Sequence, residues 1–183
     1  MVGRSNAAVM RIKSVSLTVL IITCCLMPLV LLEAVRFWFF NENLGAQLAA
    51  YFSRPVSLQN LCVWCRYVLA LFGFAPFALA GWGGWFVIRL FSEFRSGRYF
   101  TVQAAQYVRS IGVIMAFTPV LLMIASLMIS ILLSIWGGFD SYAVSLIFRP
   151  YYFLFIVTGG LICALGWVLL DAVRLSEENE QFI

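Results

Sequence analysis

The chain has 183 residues, 63% of them hydrophobic and 11% charged, with a mean hydropathy of +0.99. That balance cannot cover a water-soluble globule with polar side chains, and the apolar residues form runs long enough for helices across a core of about 30 Å, not the alternating short segments of a barrel. Histidine is absent, which excludes His-ligated haem, the usual zinc and copper sites and His-based acid/base catalysis, while the net charge of +4 is scattered without the interleaved aromatics of a nucleic-acid surface.

Residues 1–13 are polar, with Arg4, Arg11 and Lys13, and lead into an apolar run over 14–35. No small-residue cleavage site follows it. Glu33-Ala34-Val35-Arg36 leads into Phe37-Trp38-Phe39-Phe40, so the run reads as a retained first span closed by an aromatic belt. In the connection that follows, Leu44, Leu48, Tyr51 and Phe52 recur at helical spacing. This predicts an amphipathic helix over 43–53, lying along the interface until Arg54-Pro55 stops it. Ser57 offers a cap for a second helix that passes Cys62 and Cys65 and spans 66–90. Pro76 is a kink site within it, and Gly73, Gly81, Gly83 and Gly84 allow another helix to approach closely.

The polar break from Arg89 to Thr101 reads as a tight turn at the tip of a helical hairpin. Gly97 suits the left-handed residue closing one helix, Thr101 the N-cap of the next, and Phe100 a hydrophobic staple beside that cap. The third helix runs from Val102 to Ile135 and spans 111–135, with Pro119 as a second kink site. At about 1.5 Å per residue it would be near 50 Å long, so its first turns project beyond the lipid. Trp136-Gly137-Gly138-Phe139-Asp140 breaks it, and Arg149-Pro150 precedes a fourth span over 151–170, where Gly159, Gly160, Cys163, Ala164 and Gly166 form a small-residue stripe suited to helix packing.

The expected fold is all-α: four transmembrane helices in one bundle over residues 1–183, with an outer amphipathic helix and a cytoplasmic helical hairpin between spans two and three. Arg4, Arg11, Lys13, Arg89, Arg95, Arg98, Arg109 and Arg174 fall on one side, and Arg36, Arg54, Arg66 and Arg149 on the other. The positive-inside rule then puts both termini and the hairpin in the cytoplasm of a bacterial inner membrane.

Two constellations carry chemistry. Cys62-Val63-Trp64-Cys65 is a CxxC at the outer end of the second span, where two thiols could form an exchangeable disulfide and Arg66 would favour a thiolate. With Arg66-Tyr67 and Ala70-Leu71-Phe72-Gly73 it resembles the DsbB-type membrane oxidoreductases that make disulfides and pass electrons to quinone. That resemblance implies thiol-disulfide exchange at Cys62, Cys65 and Arg66. The second cysteine pair of those enzymes is absent from Trp136 to Pro150, and Cys24, Cys25 and Cys163 lie within spans. A structural disulfide, or two packing thiols, is the plain alternative.

The second constellation joins the hairpin to the C-terminal tail. Glu177, Glu178 and Glu180 share a side with Arg95, Arg98 and Arg109, so tail and tip could pair, each exposed pair contributing about 0 to 1 kcal/mol. Phe94-Arg95-Ser96-Gly97-Arg98-Tyr99-Phe100-Thr101 and Val108-Arg109-Ser110-Ile111-Gly112 resemble the G-x-x-F-[ST] turn and L-R-x-I-G helix start of a bacterial four-span family, domain of unknown function 2975 (DUF2975). The tail from Ala172 through Arg174, Glu177, Glu178 and Asn179 to Ile183 is similar to that family's closing G-A-x-L-x-x-E-N-x-L-T-I pattern. Departures fall at Gln103 to Gln106, at Val173 and at Gln181-Phe182.

The family has no established activity, and its members are often encoded beside small helix-turn-helix regulators. The resemblance implies a non-enzymatic regulatory or accessory protein; no cofactor or metal is expected, and the scattered charge predicts no direct nucleic-acid contact. Its partners would be the bilayer and a protein, either such a regulator or subunits of a larger membrane complex. The expected contact surface is Arg95, Arg98, Thr101, Arg109, Arg174, Glu177, Glu178 and Asn179, and the alternative function is thiol-disulfide exchange at Cys62 and Cys65. A transporter fits less well, because Glu33, Arg36 and Arg66 lie near span ends.

Overall fold

A computed structural model describes residues 2–58, 61–98, 100–139 and 144–180, with the backbone alone described at 2–9, 11, 179 and 180. Helices α1 (Val2–Val35), α3 (Val63–Arg95), α4 (Val102–Ile135) and α5 (Pro150–Glu180) are each long and apolar enough to cross a membrane, and α2 (Leu44–Phe52) is short. The chain is a multi-pass, all-α membrane protein. Each span packs mainly on its chain neighbour, in the order α1, α3, α4, α5.

The runs of apolar residues account for the helices, because a backbone in lipid must satisfy its own N–H and C=O groups. Helix α1 continues through the aromatic belt as a π-helical turn, Arg36–Phe40. Among its described side chains only Ser16 and Ala34 are buried, so most of α1 faces outward. Both α3 and α4 run unbroken through their prolines, and Pro76 and Pro119 are buried.

Helix α2 begins and ends close to its expected bounds, but its apolar face turns to protein and not to lipid. Leu44, Leu48 and Phe52 join Leu61, Leu69, Ile129, Leu133 and Phe139 in one buried cluster that caps the ends of α3 and α4. A left-handed residue, Ser53 at φ 54°, ends α2 before Arg54-Pro55 is reached. The chain then pins itself to the connection between α4 and α5: Val56 bridges Phe139, and the Ser57 N–H donates to the Gly138 carbonyl at 2.9 Å. Ser57 therefore does not cap the second long helix. That helix starts at Val63, with Cys62 as its N-cap.

Between α4 and α5 the backbones nearly touch. A Cβ added at Gly112 would lie 2.7 Å from both Cys163 Cα and the Gly159 carbonyl oxygen, and one at Gly166 would lie 2.7 Å from Arg109 Cα. The stripe foreseen on α5 is thus Gly159, Cys163 and Gly166, while Gly160 faces open space. This antiparallel register sets Ala105 opposite Leu170, both buried. Beyond Val173, which this register sets level with Val102, α5 continues past the start of α4 for about 10 Å on the hairpin-turn side.

Candidate functional site

The hairpin turn is built by local chemistry. Ser96 caps α3, Gly97 takes φ 84°, and Thr101 begins α4 by accepting the Ala104 N–H on Oγ1 at 3.1 Å. Gly97 and Thr101 thus hold the roles their types predict. An ion pair the spacing did not reveal closes the turn: Arg98 Nε and Nη2 reach the two Glu93 carboxylate oxygens at 2.8 and 3.3 Å. Arg98 also donates from Nε to Ser96 Oγ at 3.2 Å, and Ser96 Oγ donates to the Glu93 carbonyl at 2.7 Å. Two charge-assisted bonds and one serine hold the tip through residues close in sequence.

Phe100 is not a staple. It is 81% exposed, because the residue it would clamp at N4 of α4 is Ala105, which is small and buried among neighbouring helices. The turn therefore holds an aromatic ring out beside Arg95 and Arg98, both exposed. Sequence reasoning missed Phe100 as a surface group, although an alanine at N4 was the available signal. Arg174, Glu177 and Glu178 are exposed on the adjoining tail and form no ion pair with Arg95, Arg98 or Arg109 among the described residues. The side chains of Asn179 and Glu180, and all of Gln181, Phe182 and Ile183, lie outside the described residues. Arg109 stands apart from the tip, eight residues into α4, with its guanidinium 4.6 Å from the centre of the Trp167 ring.

At the opposite face the two cysteines come together. Cys62 Sγ accepts the Cys65 N–H at 3.3 Å, and the sulfur atoms are 2.7 Å apart, with Cys62 exposed. The hydrogen bond from the Cys65 thiol, then the N–H groups of Cys65 and Trp64, hold the Cys62 thiol below its ordinary range against a small desolvation. The cause is hydrogen bonding at a helix start and not the neighbouring Arg66, which lines a cavity with Glu42 and Asn43. A lowered pKa enlarges the thiolate fraction at any pH below the ordinary one. Iodoacetamide should accordingly label Cys62 before Cys65, with a pH midpoint below that of a free thiol, as peptide mass mapping would record.

Cys24 and Cys25 are exposed on α1, and Cys163 supplies backbone to the α4–α5 contact. Among the described residues, no three of Cys, Asp and Glu gather where a metal ion could be held.

Comparison with known proteins adds one match. The family model described as "Protein of unknown function (DUF2975)" covers residues 47–183, from within α2 through α5. No curated protein and no solved structure matches.

Proposed function

We propose that this chain, which belongs to the DUF2975 family, is a non-enzymatic regulatory or accessory membrane protein that engages a protein partner through its hairpin turn and the adjoining tail. The supporting observation is Phe100, 81% exposed on a turn held rigid by the Glu93–Arg98 pair. An ordered exposed aromatic beside Arg95, which forms no ion pair among the described residues, has the composition of an interface anchor, since aromatic and arginine side chains dominate binding energies at low entropic cost. Arg95, Arg98, Thr101, Arg174, Glu177, Glu178 and Asn179 form the polar rim in this reading. Arg109 does not belong to that rim. The positive-inside rule places the turn and both termini in the cytoplasm of an inner membrane, where a small helix-turn-helix regulator or the exposed face of a larger complex would meet them.

Purification in mild detergent followed by mass spectrometry identifies what co-purifies. Phe100→Ala should weaken retention of that partner about thirtyfold, the effect of losing an anchor of about 2 kcal/mol. Arg95→Glu with Arg98→Glu should abolish retention. Unchanged partners and unchanged phenotype in both variants would sink the proposal.

The sulfur atoms of Cys62 and Cys65, 2.7 Å apart on the other face, favour a second reading, a membrane thiol-disulfide oxidoreductase. Closing the bond would release two protons and two electrons to an acceptor. Maleimide labelling in membranes, before and after added quinone or reductant, would show the thiols cycling. Wild-type behaviour of a Cys62→Ser, Cys65→Ser variant would exclude this role.

A further inference from the structure

Arg109 is half-buried, lies over Trp167, and has no carboxylate within ion-pair distance among the described residues. An aromatic face offsets part of the cost of holding a cation at membrane depth, but it leaves the N–H donors of the guanidinium unmatched. Arg109 also lines a groove of about 300 Å³ between α3 and α4, whose walls include Leu79, Trp82, Phe86, Val113 and Ile114.

The groove is graded along the helix axes. Arg109 stands at the end nearer the hairpin turn. Leu79, Val113 and Ile114 lie one turn or more toward the middle of the spans. The groove opens sideways, since Trp82 is 63% and Val113 45% exposed on the outer surface of the spans. Interfacial tryptophans mark the level of lipid headgroups, and Trp167 lies against this arginine. A ligand that satisfies the site must carry an anion at one end and apolar length at the other, and must enter from the bilayer.

From this juxtaposition we propose that Arg109 binds the phosphodiester of an anionic phospholipid in the leaflet on the hairpin-turn side, with an acyl chain laid over Leu79, Val113 and Ile114. The planar guanidinium suits two phosphate oxygens at once, which a lysine could not match. Surplus positive charge on the same side, at Lys13, Arg89 and Arg95, raises the local concentration of anionic lipid around the site.

Native mass spectrometry of the full chain released from nanodiscs of mixed phosphatidylglycerol and phosphatidylcholine tests the assignment. Wild-type protein should keep one phosphatidylglycerol in preference to phosphatidylcholine. Arg109→Gln should cut that preference about fivefold, the effect of one arginine at an anionic surface. Arg54→Gln, at the opposite face, should leave it intact. Val113→Trp keeps the arginine and fills the groove, so it should lower retention as well, with a melting curve establishing that the variant is folded. Equal retention of the two lipids, or an unaltered preference in Arg109→Gln, overturns the proposal. Displacement of the bound lipid by millimolar inorganic phosphate would assign the site to a free anion and overturn it too. Should Arg109→Gln fail to fold, Val113→Trp decides, and undiminished retention there is equally fatal.

Discussion

Gly112→Leu should split α4 from α5 and leave little folded protein in detergent. Even a methyl group at this position meets Cys163 Cα and the Gly159 carbonyl oxygen, each 2.7 Å from the added carbon. Both are backbone atoms of α5, so no side chain can rotate away, and the helices must separate along the whole contact. Overpacking a core costs about 1 to 3 kcal/mol where side chains can yield, and the rigid backbone puts this site at or beyond the upper end. Lipid tails are as apolar as leucine, so spans are held by contact and not by expulsion of water. Losing close approach therefore removes the main attraction. Gly160→Leu is the matched control: nothing lies within 4 Å of its added carbon, and it should leave the melting temperature nearly unchanged. Thermal unfolding followed by size-exclusion chromatography separates the two. Equal melting of both variants would refute the packing argument.

Leu133→Ala should cost about 2 to 5 kcal/mol, the range for emptying a fully packed leucine site. Leu133 is 0% exposed and sits among Leu44, Leu48, Phe52 and Phe139 at the capped end of the bundle. The substitution loosens α2 and the bridge between Val56 and Phe139 together. Limited proteolysis should show faster cutting between Ser53 and Cys62 while the spans stay protected. An unchanged cutting rate would mean that α2 is held by something other than this cluster.

The sequence made the helices legible because lipid demands long apolar runs, and α4 occupies the stretch from Val102 to Ile135 expected for it. The turn was legible because Gly97 and Thr101 act locally, through φ and through one side-chain hydrogen bond. What escaped depends on groups distant in the chain. Ser57 has the chemistry of a cap, yet its N–H is taken by Gly138 in the connection between α4 and α5, and that leaves Cys62 to start α3. The apolar face of α2 was visible as a pattern, but a pattern does not distinguish lipid from protein as the surface that covers it. Arg109 was grouped with Arg95 and Arg98 by sign of charge. Eight residues along a helix amount to about 12 Å of rise, which separates it from the tip. Neither Glu93 closing the turn on Arg98 nor Trp167 beneath Arg109 belongs to a motif, so spacing gave no sign of them.

The packing of each span on its chain neighbour bears on how the protein is made. Contacts close in sequence form quickly, because little loop entropy is lost before they form. Each span after α1 finds the span it packs on already in the bilayer. The joining of the α2–α3 and α4–α5 connections, at Val56 and Phe139, is the long-range closure that remains. It can follow once α4 has crossed, which makes the cap a late seal on a hairpin already assembled.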